Sequence, residues 1–269
     1  MTSRIDDMFR DGFARLSLSP RATELLAETL CSAHGYFQLD EDEKQRDFFP
    51  GQHLGFRSGG IEFSATPERP DLNDSLNLSA GWRHVVHESS PAMPFCIVAE
   101  QLREVLDALA QEVLRDVAQR YPGENTVPET VEHSWLQVNY YRRFPQMRDV
   151  LQDKHEDAHL LTLWHSRKPG LEIFTSPRDE PTSITVGESS VLIMPGSLLT
   201  MLTGGDVPPL FHRVIQVPEV ENRMALMYFV NPNINKPLYA YKRDPDSDTQ
   251  DIAAVGARNP ELFGLPKLK

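Results

Sequence analysis

The chain has 269 residues, a net charge of −12 and only two cysteines, Cys31 and Cys96. That acidic balance argues against the clustered Lys and Arg by which proteins displace counterions from a phosphate backbone, so no nucleic-acid partner is expected, and two cysteines are too few for a disulfide framework. The opening MTSRIDDMFRDG has no apolar signal core and no stretch approaches the roughly 20 apolar residues of a membrane span, which sets the expectation of a cytoplasmic protein with one sizeable core and no membrane partner.

In chain order, FARLSL at 13–18 and YFQL at 36–39 are short apolar runs of strand type. Between them Ser19 reads as an N-cap, Pro20 as the first helical residue and Gly35 as the stop, so a β-α-β opening is expected. Residues 40–80 are charged and then rich in Gly and Pro, and read as one long loop that either borders a substrate or pads the surface. From Pro94 to Tyr121 the apolar residues Val98, Leu102, Val105, Leu109, Val113 and Val117 recur at steps of three and four, the mark of a long amphipathic helix. After Glu132 come short β-type runs separated by turns: SWLQVNYY, LLTLWH, GLEIF, SSVLIM, HRVIQV and RMALMYFV. Such spacing predicts a mixed α/β chain with a mainly β core, a sandwich or jelly-roll barrel flanked by N-terminal helices. The organisation expected is an N-terminal helical and loop region (1–130), a β core (131–235) and a C-terminal lid or cover (236–269), all one structural unit.

Three separated residues within the β region have the donor types of an iron site: His155 and Asp157 in KHEDAH, and His212 in LFHRV. Two histidines and a carboxylate leave about three positions of an octahedral ion open, as in non-haem iron oxygenases. With nine histidines and 39 acidic residues in 269, roughly one His-x-acid pair arises by chance, so the pair gains its weight from His212 and from Arg223 on the following strand. On an extended segment His155 and Asp157 share a face, as do Arg223 and Ala225, and Asn139 and Tyr141. The same stretch also spells His155-Glu156-x-x-His159, the zinc-peptidase motif, with His165 where a third ligand falls in its longer form. That alternative needs a helix at 152–162, and Thr162 stands where the longer motif has Gly.

Taken together, VNYYRRFPQ, HEDAHLLTLW, GLEIF, PGSLLTMLTGG, HRV and RMALMYFVNP occur in the order found in the isopenicillin N synthase-like family of Fe(II)- and 2-oxoglutarate-dependent dioxygenases. With HGYFQL and GGIEFSATPERPDLNDSLNL upstream, the chain resembles that family over about residues 10–235. The resemblance implies a double-stranded β-helix, with His155, Asp157 and His212 as catalytic iron ligands. It implies cosubstrate binding by Arg223, gripping the distal carboxylate of 2-oxoglutarate, by Tyr141 beside it and by Asn139 near the chelating end. Phe229 matches a position that packs on substrate in relatives. Three positions depart from the family pattern: Ala225 replaces a serine, Ser197 an aspartate and Arg142 a proline. A missing hydroxyl donor to the cosubstrate weakens its binding by about 1.5–3 kcal/mol unless another donor, Tyr141, substitutes.

The activity expected is therefore oxidation of a small molecule, by hydroxylation or by desaturation or cyclisation, using Fe(II), 2-oxoglutarate and dioxygen. The acidic surface, the irregular 40–80 segment and Arg57, placed to hold a substrate carboxylate, fit a polar metabolite or an amino-acid-derived intermediate of specialised metabolism. A monomer or homodimer is expected. The other readings are a zinc metallopeptidase using HEDAH and a catalytically inactive β-helix binding module.

Overall fold

In the computed structural model, residues 5–50, 53–142, 148–176, 180–233, 235–242 and 251–258 are described. Helix α1 (Asp6–Asp11) and strand β1 (Ala14–Ser17) lead into α2 (Pro20–Phe37). The Ser19 hydroxyl accepts from Ala22 N at 3.2 Å, with Pro20 following it where no N–H is needed. The helix does not stop at Gly35, and the expected strand at 36–39 is absent, because α2 continues to Phe37. Burial overrides the glycine there. The Tyr36 hydroxyl lies 3.1 Å from both Lys44 O and Asp47 Oδ2, between which its one proton is shared, and Phe37 stacks on Tyr140 with 5.0 Å between ring centroids.

Residues 40–80 hold more order than a single loop: α3 (Glu41–Lys44), a 3-10 turn at Gln45–Asp47, β2 (Gly55–Arg57) and β3 (Asp74–Ser79). β3 escapes a reading by hydropathy because its inward residues are Ser75 and Asn77, with only Leu76 and Leu78 turned to the apolar side. The long helix is α4 (Met93–Ala118). Its buried face is carried by Phe95, Ala99, Leu102, Leu106, Ala110 and Val113, while Val98, Val105 and Leu109 sit half-buried on its flank. Of the expected stripe, Leu102, Val113 and Val117 are buried, so the buried face is offset by part of a turn from the one the pattern favoured.

The remaining strands are β4 (Trp135–Tyr141), β5 (Val150–His155), β6 (Leu161–His165), β7 (Leu171–Phe174), β8 (Thr182–Ile184) and β9 (Ser190–Pro195); after α5 (Ser197–Leu202) come β10 (Phe211–Ile215) and β11 (Arg223–Val230). The short strands β5 and β8 have no counterpart in the expected set. The strands form two antiparallel sheets, a seven-stranded one in the order β1-β9-β6-β11-β4-β3-β2 and a four-stranded one in the order β5-β10-β7-β8. This is the jelly roll. Strands from before residue 131 extend the larger sheet on both edges, so the N-terminal region and the β core share one scaffold.

Strict alternation along the central strands sorts the side chains into two cores. Leu226, Tyr228 and Val230 of β11, with Leu136 and Val138 of β4, pack under α2 and α4; Ala225 and Met227 face the smaller sheet. Of the tail, Leu238, Tyr241 and the start of α6 (Ile252–Arg258) join the helical side, and Tyr241 donates to Thr126 O at 2.9 Å. The described part of the tail thus covers the outer core and does not line the cavity between the sheets; the rest of the expected lid lies outside the described residues. Among the described residues no helix is long and apolar enough to cross a membrane.

Because Gly35 is helical, with nothing within 4 Å of where a Cβ would stand, Gly35→Ala should raise unfolding free energy by about 0.5–1 kcal/mol in urea titrations. A loss of stability would contradict the helix assignment there.

Candidate metal and cosubstrate site

β5 and β10 are neighbours in the smaller sheet, and their register sets His155 directly opposite His212, with ring centroids 4.3 Å apart. Each ring is held by its far nitrogen: His155 Nδ1 lies 2.7 Å from Asp153 O and His212 Nδ1 lies 3.2 Å from Leu210 O. A carbonyl can only accept, so Nδ1 carries the proton and Nε2 keeps a bare lone pair, the form that binds a metal. Burial pushes the His212 pKa down to about 4, with His155 adding and Asp157 and the Leu210 carbonyl opposing. The ring is therefore neutral near pH 7.

Asp157 completes the set, though not from the strand the two-residue period suggested. β5 ends at His155, and Asp157 stands in the turn that follows. Its Oδ1 is 3.7 Å from His155 Nε2 and 3.9 Å from His212 Nε2, and one donor atom of each of the three residues lies within 4.8 Å of the others. Thr162 Oγ1 donates to Oδ2 at 2.6 Å, which leaves Oδ1 for an ion. Burial works to raise the carboxyl pKa, but His212, His155, His159 and Thr162 outweigh it and hold the group below the usual carboxylate range.

The turn itself is clamped from β9 and α5. Gly196 N donates to Leu160 O at 3.2 Å, Ser197 N to Asp157 O at 3.0 Å and Ser197 Oγ to Glu156 Oε1 at 2.7 Å. A Cβ on Gly196 would stand 2.2 Å from His159 O and 2.6 Å from Asp157 O, so only glycine allows this approach. The zinc-peptidase alternative fails on the same geometry. No helix spans 152–162; His159 lies in the turn with Nδ1 3.1 Å from Asn231 Oδ1, and His165 lies on β6 with Nδ1 2.9 Å from Ser190 O.

Between the sheets a cavity runs past the three residues. Along one wall a chain of hydrogen bonds runs from Gln137 Nε2 to Asn139 Oδ1 (2.7 Å), Asn139 Nδ2 to the Tyr141 hydroxyl (3.2 Å), that hydroxyl to Gln152 Oε1 (2.9 Å) and Gln152 Nε2 to Asp71 Oδ2 (3.3 Å). Arg223 pairs in register with Tyr141 and lies with its guanidinium 4.7 Å from the Tyr141 ring centroid and 5.8 Å from that of Trp164. It is only 4% exposed, yet Nε, Nη1 and Nη2 have no hydrogen-bond partner among the described residues. A buried cation left so costs several kcal/mol, which a bidentate anion would offset. Gly170, with φ at +127°, gives it room: a Cβ there would come within 3.4 Å of Arg223 Cδ.

Asn139, Tyr141 and Phe229 all line this cavity, Phe229 within 4.9 Å of Trp135 and 4.6 Å of His159 by ring centroid. Arg57 does not. It is 1% exposed and donates to Leu54 O, Phe56 O and Phe49 O at 2.7–3.1 Å, so its guanidinium fastens the turn before β2 and is not offered to a substrate carboxylate. The sequence reading also missed Thr162, Gly196, Gln152 and Asp71, since a hydroxyl, a glycine, an amide and a loop acid carry no spacing signal of their own. The departures find uses: Arg142 Nε pairs with buried Asp74 at 2.7 Å, and Ser197 holds the Asp157 turn.

Residues 132–232 match the family described as the 2OG-Fe(II) oxygenase superfamily. Among solved structures it is similar to a full-length Neurospora crassa protein in complex with alpha-KG, at 19% identity over 96% of this chain and 88% of that one, with a TM-score of 0.77. It is also similar to JOX2 in complex with 2OG, Fe and JA (17% identity, 99% and 82% coverage, TM-score 0.74). A third is a 2OG-Fe(II) oxygenase family protein from Caulobacter crescentus (21%, 95% and 92%, TM-score 0.72). At these identities the likeness is one of fold. No curated protein matches the sequence.

Gly196→Ala should push the Asp157 turn away from the two rings and weaken Fe(II) or Co(II) binding by about 10–100-fold, the usual cost of disturbing a ligand's support. Metal titration followed by absorbance measures it; unchanged affinity would show that the clamp does not position Asp157.

Proposed function

Taking a 2OG-Fe(II) oxygenase superfamily domain at residues 132–232 as the premise, we propose that the protein is an Fe(II)- and 2-oxoglutarate-dependent dioxygenase acting on a small molecule. The observation that carries the proposal is the buried, unpartnered Arg223 guanidinium behind Tyr141, in the same inter-sheet space as the His155, Asp157 and His212 set. Either feature alone has ordinary explanations. A three-donor metal site with open positions and a separate cation with no internal anion together fit one ligand that chelates iron at one end and carries a carboxylate at the other.

His155, Asp157 and His212 would hold Fe(II). Arg223 would pair with the distal carboxylate of 2-oxoglutarate, the Tyr141 hydroxyl beside it standing in for the donor that Ala225 lacks, and Asn139 would place its amide toward the chelating end. When bound, iron with 2-oxoglutarate and dioxygen supplies an oxidation strong enough to break an unactivated C–H bond, the cosubstrate leaving as succinate and carbon dioxide. The chain's own tasks are narrower. The Nδ1–H bonds fix the tautomer of both imidazoles and aim their Nε2 lone pairs, Thr162 keeps one Asp157 oxygen occupied and the other free, and the apolar inner face of β11 excludes water beside them. Phe229, on the face of Arg223, would contact substrate. Hydroxylation, desaturation and cyclisation all fit this arrangement. The motif order supports the isopenicillin N synthase-like branch of the superfamily.

Arg223→Met should lower 2-oxoglutarate affinity about 100-fold, the equivalent of one or two lost charge-assisted hydrogen bonds, while Fe(II) affinity stays within about threefold of the wild type. The anaerobic charge-transfer absorption that appears on adding 2-oxoglutarate to the Fe(II) protein reads the first, and metal titration the second. Asp157→Ala should abolish the band, whereas Glu156→Gln should keep it. A wild-type protein that binds iron and shows no such band would overturn the proposal.

A further inference from the structure

The cavity extends past the metal and cosubstrate residues, and its chemistry there is one-sided. Carboxylates line the cavity at Glu62, Asp71, Glu156 and Asp157, and among the described residues no Lys or Arg does. Three of the four already have work. Asp157 belongs to the metal set, Glu156 accepts from Ser197, and Asp71 accepts from Ser64 N (3.1 Å), Ser64 Oγ (2.7 Å) and Gln152. Glu62 is different. Among the described residues its carboxylate accepts only from Ser75 Oγ, at 3.2 Å, although it lines the cavity. Arg57, whose charge acts on it, is held by three backbone carbonyls.

The same cavity holds an aromatic cluster. His53 stacks on Trp135 with centroids 3.6 Å apart and planes 11° from parallel, and Phe229 and His159 close around the same indole. Trp135 is 3% exposed, and its Nε1–H has no partner among the described residues; the same is true of His53 Nε2. Burial pushes the His53 pKa down to about 3, so the ring stacked on the indole supplies no positive charge. An unpartnered indole N–H on a dry wall calls for an acceptor, and an acid with spare lone pairs calls for donors.

We propose that the substrate is a flat-ring nitrogen compound, uncharged or cationic, that lays its ring along the Trp135–Phe229 wall, donates N–H to Glu62 and offers an acceptor to Trp135 Nε1; compounds bearing a carboxylate or phosphate in that position are refused. The inference rests on the dioxygenase reading, because it assigns Arg223 and the metal residues to cosubstrate and iron and leaves this part of the cavity for substrate. With iron(II) and Asp157, and 2-oxoglutarate and Arg223, the charges of the cosubstrate part sum to zero, so Glu62 sets the sign of what remains. Burial pushes its carboxyl up to about 7, with Asp71 adding and Arg57 and Ser75 opposing, and an N–H donor or cation would favour the ionised form. The aromatic wall favours the same ligand through stacking and cation–π attraction.

Three probes of one shape separate the possibilities: benzamidine, benzamide and benzoate, titrated calorimetrically into the Fe(II)·2-oxoglutarate protein under argon. The expected order is benzamidine tightest, then benzamide, then benzoate, with about tenfold or more between the first and last. In Glu62→Gln, checked for wild-type melting temperature, the preference should shrink to about threefold or less. The wild-type order tests the proposal without any variant. Benzoate binding as tightly as either nitrogen probe, no binding of any probe at millimolar concentration, or an undiminished preference in folded Glu62→Gln would overturn it. If the 2-oxoglutarate absorption band forms and the probes fail, only this inference falls; if the band never forms, the dioxygenase reading falls with it.

Discussion

The pairing of β5 with β10 is the constraint on which the site depends. Antiparallel register sets His155 across from His212, with 4.3 Å between the two ring centroids. Their Nδ1 atoms are tied to backbone carbonyls, so the free lone pairs point toward a common space. Asp157 enters that space from a turn whose path is dictated by Gly196 at the end of a strand in the other sheet. Two sheets must therefore be correctly stacked before the third donor meets the first two. A shift of one residue in the β5–β10 register would turn one ring to the opposite face of the sheet.

Arg223 stands at the other pole. Its β11 register with Tyr141 fixes it beside an aromatic ring, and Gly170 leaves room for its side chain, yet among the described residues no carboxylate bonds to it. Folding a chain around an unpaired guanidinium opposes stability, and a fold tolerates this where the missing anion arrives later as a ligand. Aromatic contact with Tyr141 and Trp164 offsets part of that cost in the meantime.

Between these poles the segment from Ser58 to Asn73 joins the parts. It is irregular but tied down: Leu72 N donates to Leu151 O at 3.0 Å, Arg148 to Pro70 O at 2.7 Å, and Arg69 forms a two-point ion pair with Asp153 at 2.6 and 2.8 Å. It therefore brings Glu62 and Asp71 to the cavity as a fixed wall, and the hydrogen-bond chain through Gln152, Tyr141 and Asn139 runs from that wall toward Arg223 and its Tyr141 neighbour. The same loop that carries Glu62 thus sets the orientation of the Tyr141 hydroxyl.

By itself the sequence determined most of the alternating strands from Trp135 to Val230, the long helix to within about three residues of its end at Ala118 and the candidate donors His155, Asp157 and His212, because hydropathy period and donor type are local properties. It misjudged elements whose state is decided elsewhere: Gly35 stays helical because Tyr36 and Phe37 find partners across the fold, and β3 hides as a loop because its inner face is polar for the cavity's sake. Which of two overlapping motifs KHEDAH spells, and whether Arg57 or Glu62 lines the cavity, only the tertiary structure decided. The physical reason is the same in each case: a side chain's role follows from which backbone and side-chain groups it meets across the fold, and many of those groups lie dozens of residues away along the chain.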